Sequence, residues 1–212
     1  MSKVHVHFMG DIIHSVSGMN HKDSWKNMDP KGHGAEAIIQ PYKLLVEFLI
    51  GIKGLFNVNI VGGNHDRLQS SRDQENTGEG AKLIGFMLQE SFKNIPVTFD
   101  SYRIVDDTDP HMTVILLHGD KPVDKSSGES IAWTHGNSSK FNYIATAHMH
   151  SRKQNPKDDG LKFRKEALPA FCPMDTYSKT VAHGSLPGIK LITTTEDKLP
   201  VIIDMPLHYD YV

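Results

Sequence analysis

Cysteine occurs once in the 212 residues, as Cys172. That scarcity excludes an intramolecular disulfide framework, a four-cysteine zinc site and a CxxC redox motif. No apolar run approaches the roughly 18 residues that a membrane-crossing helix needs. The opening Met1-Ser2-Lys3-Val4 lacks the apolar stretch of a secretory signal, so a cytoplasmic location without membrane contact is expected. An excess of either charge is also missing: 23 Lys and Arg face 25 Asp and Glu, for a net charge of −2. Such a balance excludes a polybasic protein that coats nucleic acid through its overall charge. What the chain has in quantity is histidine, at 13 residues. Imidazole both binds metals and moves protons near neutral pH, so the placement of these side chains carries the argument.

The length suits one domain able to bury a core, and neither an internal repeat nor a low-complexity tract interrupts it. A single domain over 1–212 is therefore expected. Four short apolar runs, Val4–Met9, Val58–Val61, Thr113–Leu117 and Tyr143–Thr146, have the length and β-branched content of strands. Between the first two, Ile38, Ile39, Tyr42, Leu45, Val46 and Leu49 recur at helical spacing. Pro41 predicts that this helix starts near Gln40 or kinks there. Gly80–Phe92 predicts a second amphipathic helix. Ser151–Lys165 is polar and basic, and strand-like runs follow at Ile189–Thr194 and Val201–Met205. Residues 1–150 are thus the core, and 151–212 a basic loop with closing strands. Strands alternating with helices point to an α/β layered fold. Two long connections, Ser15–His33 and Gly119–Asn137, have the composition of binding loops.

Each of the four runs ends in residues suited to metal chemistry. They are followed by Gly10-Asp11-Ile12-Ile13-His14, by Gly62-Gly63-Asn64-His65-Asp66-Arg67, by His118-Gly119-Asp120, and by Ala147-His148-Met149-His150. In open α/β sheets, ligand sites form outside the carboxyl ends of the strands. Oxygen and imidazole donors without thiolate suit Mn²⁺, Fe or Zn²⁺. Singly, each motif has an ordinary reading: a Gly-Asp turn, an Asx turn at Asn64, two histidines on a solvent-facing strand. Their occurrence together, in order and each after a strand, favours the metal.

Those motifs resemble the ordered motifs of the calcineurin-like metallophosphoesterase family, over residues 10–150. The resemblance implies a two-sheet sandwich flanked by helices, with a pair of divalent metals at the strand ends and Mn²⁺ the favoured ion. Asp11 would bridge both metals, Asn64, His118 and His148 would complete one site, and His150 would serve the other. His65 would donate a proton to the leaving group or stabilise phosphate charge, with Asp66 holding its ring. The implied reaction is in-line attack on phosphorus by metal-activated hydroxide.

The family's first motif, Asp-x-His, has no counterpart in the expected place. Asp109-Pro110-His111 has the letters but sits in a polar turn. The resemblance therefore implies one nearly complete metal site and half of a second. The absent strand would come from a partner polypeptide or a second copy, or nearby His5, His7 and His14 would substitute. A catalytically impaired assembly subunit is the reading from another class.

For the substrate, Arg67 and His14 are candidates for phosphate contact. Arg152 and Lys153 open a Lys- and Arg-rich stretch suited to a nucleic-acid backbone. The chain resembles the phosphoesterase core of DNA-repair exonucleases more than that of protein phosphatases. Phosphodiester hydrolysis in nucleic acid is the expected activity, ahead of a phosphomonoesterase or small-nucleotide phosphodiesterase. His21, His33, His111 and His208 read as surface or loop residues, and His5 and His7 as the polar face of a strand. His135 and His183, in glycine-containing loops, are candidates to line a substrate groove. Cys172 reads as a small buried residue.

Overall fold

A computed structural model describes residues 2–14, 16–17, 25–26, 28–68, 77–149, 153–172, 186–195 and 199–207, with backbone alone at 123 and 153–158. The chain divides into two compact units, residues 1–104 and 105–212. Both are mixed α and β.

In the first unit, β1 (Val4–Phe8), β2 (Leu55–Val61) and β3 (Val97–Asp100) form a parallel sheet in that order. Helices α1 (Glu36–Ile50) and α2 (Glu79–Ser91) make the two crossovers. Val58 and Ile60 of β2 meet Leu45 and Leu49 of α1 and Ala81, Ile84 and Leu88 of α2, together with Ile13, in one buried cluster. Alternation then places Asn57 and Asn59 on the opposite face, in register with His5 and His7 of β1. The Asn59 amide lies 3.2 Å from Nδ1 of His7, so the polar strand face expected of these histidines is a cross-strand ladder with asparagine.

Helix α1 begins earlier than Pro41 suggested. Its first turn closes with short-range bonds from Ala37 to the Gly34 carbonyl and from Ile38 to that of Ala35. The helix then runs through Pro41, whose missing N–H removes one internal bond. The apolar face formed by Leu45 and Leu49 outweighs that loss, because burial of an amphipathic face supplies most helical stability in proteins.

In the second unit, β4 (Arg103–Asp106), β5 (Met112–Leu117), β6 (Phe141–Thr146), β7 (Lys153–Gly160) and β8 (Phe163–Ala167) form one sheet in the order β4-β5-β6-β8-β7. Strand β5 is parallel to β6, and β6 to β8. All six residues of β5 are buried, as its unbroken Met-Thr-Val-Ile-Leu-Leu run requires of a strand covered on both faces. Helix α3 (Gly128–His135) is capped by Ser127, whose side chain accepts from the Ser130 amide. It buries Ile131 against Ile115, Leu117 and Ile144. Strands β9 (Gly188–Thr193) and β10 (Val201–Pro206) form a separate antiparallel pair.

The polar segment after His150 is not a loop. It supplies the β7–β8 hairpin, because its charges find partners inside the fold. Glu166, 3% exposed, meets Arg164 and Lys190 and accepts from the Tyr143 hydroxyl. Lys165 donates to the carbonyls of Asp124 and Ser126. The Gly119–Asn137 connection likewise contains helix α3 and a 3₁₀ turn at Pro122–Lys125.

Candidate functional site

Every described residue expected to bind metal lies just past the carboxyl end of a strand. Asp11 follows β1, Asn64 follows β2, His118 follows β5 and His148 follows β6. Two of the four lie in each unit.

In the first unit, the loop after β1 and the loop after β2 are tied by side-chain-to-backbone bonds. The His65 amide donates to Asp11 Oδ1 at 2.8 Å, which aims the carboxylate. Gly63 permits this approach: a Cβ there would lie 2.2 Å from the Asp11 carboxylate and amide, so any side chain would force the loops apart. Asp66 is fully buried and accepts from two amides, Ile13 at 3.0 Å on Oδ1 and Gly63 at 2.8 Å on Oδ2. The His65 ring lies against the main chain, with Nδ1 3.1 Å from the His14 carbonyl. Asp66 therefore secures the loop on which His65 stands. The carbonyl, which can only accept, favours a proton on Nδ1. The His14 and His65 rings lie 5.0 Å apart, so His14 flanks the same place. Arg67 is half-buried immediately after Asp66.

In the second unit, His118 is 2% exposed, and its ring meets the His148 ring edge to face at 5.2 Å between centroids. The Ala147 amide donates to the His118 carbonyl, which joins the two strand ends. Gly119 has φ +107°, and a Cβ there would lie 3.1 Å from the Ala147 carbonyl. Asp124, 4% exposed, accepts the amides of Gly119 and Lys121 at 2.9 and 3.2 Å and so shapes the turn beyond His118. Nothing in the local sequence marks Asp124 for that task.

Two non-glycine residues among those described have left-handed backbone, Asp11 at φ 52° and His148 at φ 61°. Such a state costs of order 1–3 kcal/mol and concentrates at functional sites. Both are residues expected to bind metal. Asp11 in the first unit offers a carboxylate, and His118 and His148 in the second offer imidazoles, donor groups of the kind that bind metal ions. Carboxylate and imidazole donors without thiolate suit a divalent cation.

Other expectations fall elsewhere. His150 and Arg152 lie outside the described residues, as do His21, His183 and His208, and Lys153 is described by its backbone alone. Downstream in the basic stretch, Lys162, Arg164 and Lys165 hold the Ser138 carbonyl, Glu166, and the Asp124 and Ser126 carbonyls. Those three cations bind the protein to itself. Asp109 accepts the amides of His111 and Met112 within one turn, in keeping with a turn before β5. His135 lines a polar cavity of about 320 Å³ with Asp107, Thr113 and Asn137, by the amino end of β5 and away from His118. His33 stacks on Trp25 at 3.8 Å. Cys172 is exposed rather than buried, because it follows β8 in irregular chain.

Compared with known proteins, the chain matches no family model, no curated protein and no solved structure.

Proposed function

We propose that this chain is a metal-dependent phosphoesterase of calcineurin-like fold that hydrolyses phosphodiester bonds, with nucleic acid the favoured substrate. One observation carries the reading. The Gly-Asp, Gly-Asn-His-Asp, His-Gly and Ala-His motifs each stand at the carboxyl end of a parallel strand, and left-handed backbone marks Asp11 and His148. Ligand sites in parallel α/β sheets form at those ends.

In this reading, which rests on the motif resemblance, Asp11, Asn64, His118 and His148 would hold a first cation, and His150 would contribute to a second. Bound there, a divalent ion supplies Lewis acidity and a water acidic enough to be a nucleophile near neutral pH. The chain's own groups do the rest. The His65 amide aims the Asp11 carboxylate. With its Nδ1–H held by the His14 carbonyl, His65 in its imidazolium form presents Nε2–H to the phosphate, gives that proton to the departing oxygen and is left as the neutral ring. Arg67 and His14 neutralise the non-bridging oxygens.

Hydrolysis of bis-p-nitrophenyl phosphate and p-nitrophenyl phosphate, with Mn²⁺ added, tests this. Diester turnover that falls at least ~100-fold in His65→Ala, with folding intact, supports the assignment. Metal binding without turnover of either compound would instead identify a non-catalytic metal-binding subunit.

A further inference from the structure

Lys165 of β8 belongs to the stretch whose sequence suits a nucleic-acid backbone, yet the fold spends it on the main chain. Its ammonium donates to the Asp124 carbonyl at 2.7 Å and to the Ser126 carbonyl at 2.6 Å. Both carbonyls belong to the connection that carries the chain from His118, after β5, to the Ser127 cap of α3. A lysine offers three donors and no acceptor, so one side chain satisfies two carbonyls and fixes the spacing between them. Gly128 opens the path for it: a Cβ there would lie 3.1 Å from Lys165 Cβ.

Asp124 is anchored at both ends. Its carbonyl accepts from Lys165, while its buried carboxylate accepts the amides of Gly119 at 2.9 Å and Lys121 at 3.2 Å. Gly119 directly follows His118 and packs against the strand end that bears His148. A Cβ on Gly119 would meet the Ala147 carbonyl at 3.1 Å and His148 Cβ at 3.4 Å. With so little clearance, the turn cannot shift without moving the imidazoles. Strand register brings the lysine to the same end of the sheet, since Lys165 pairs with Ile144 of β6 and β6 ends just before His148.

We propose that Lys165 is a positioning residue for the His118–His148 pair, acting through Asp124 and Gly119. The ammonium pins the far side of the turn, the carboxylate carries that hold to Gly119, and Gly119 sets the space between the two strand ends. Loss of the ammonium takes the donor from two carbonyls, so the turn loosens and Gly119 drifts against the rings. That the pair meets a divalent ion rests on the function proposed above; that Lys165 sets its geometry does not.

The experiment compares wild type with Lys165→Met, Lys165→Arg and Lys162→Met. Lys162 stands in the same hairpin and donates to the Ser138 carbonyl, so it controls for the loss of a cation. Proton–nitrogen correlation spectra of the histidine rings, assigned with His118→Gln and His148→Gln, read the pair in the metal-free chain. Lys165→Met should move or broaden both ring signals and leave that of His111, at the other end of β5, in place. Lys165→Arg, which keeps a cation with several donors, should restore them, and Lys162→Met should not disturb them. Calorimetric titration with Mn²⁺ should show affinity ~10-fold weaker in Lys165→Met and within ~3-fold of wild type in Lys165→Arg. Should Lys165→Met not fold, Lys165→Gln, which keeps one donor group, makes the same comparison. Ring signals that stay in place without the ammonium overturn the proposal. So does an Mn²⁺ affinity that stays unchanged while the rings move. If the rings move and the wild type binds no Mn²⁺, Lys165 positions the pair and the metal reading alone falls.

Discussion

His118 and His148 stand edge to face, 5.2 Å between ring centroids, because the Ala147 amide bonds the His118 carbonyl across the ends of two parallel strands. The pair is thus set by sheet register, and Gly119 keeps the space beside it open.

Gly119→Ala should disturb both rings at once. At φ +107°, an added Cβ costs of order 1–3 kcal/mol in backbone strain. It also presses on the Ala147 carbonyl and His148 Cβ. Calorimetric titration with Mn²⁺ should show affinity falling ~10–100-fold, the loss usual when a supporting group is displaced. Unchanged affinity would mean that the turn has no part in holding the metal.

Asp66→Ala should destabilise the first unit strongly. It strands the buried Ile13 and Gly63 amides, each worth ~1–3 kcal/mol, so urea unfolding should show a loss of ~2–5 kcal/mol. Asp66→Asn keeps one accepting oxygen and should fall between. A loss below ~1 kcal/mol in the alanine variant would contradict the latch role.

Glu166 sits where three partners converge. Glu166→Ala leaves Lys190 buried beside Asp204 alone and removes the acceptor of the Tyr143 hydroxyl, so a loss of ~3–5 kcal/mol is expected. Burial pushes the Tyr143 phenol well above its ordinary value, with the charge of Glu166 adding to it. Spectrophotometric titration of wild type against Tyr143→Phe should therefore find the Tyr143 phenol silent until the chain unfolds in alkali.

Acid should release the contacts of Asp107. Bonds from Thr113 and then Lys140 hold its carboxyl below the usual value of 3.8. A depressed folded value contributes stability that is present above the unfolded value and lost as pH falls through the folded one. Melting temperatures of wild type and Asp107→Asn should therefore differ above about pH 4 and converge toward pH 2. A constant gap across that range would count against the assignment. Half-exposure of the side chain keeps the effect small.

The strands and helices of the core were legible because their residues face one environment. A short apolar run such as Thr113–Leu117, β-branched at three of its five residues, favours a covered strand over a buried helix. Leu45 and Leu49 likewise keep α1 helical past Pro41. Strand β8 was illegible for the opposite reason: Arg164, Lys165 and Glu166 look like surface until their partners, Lys190 and the Asp124 and Ser126 carbonyls, arrive from distant sequence.

The shortage of cysteine, the balanced charge and four histidine- and aspartate-bearing motifs at strand ends were determined by the sequence alone, since composition and local order need no partner. The tertiary structure decided how those motifs are held. Only the folded loops show Asp66 committed to the Ile13 and Gly63 amides and the His14 carbonyl supporting His65. Only cross-strand register shows Lys190 turned inward, beside Glu166. Hydrogen bonds between residues about 50 positions apart, and the face a strand residue takes, depend on which segments become neighbours.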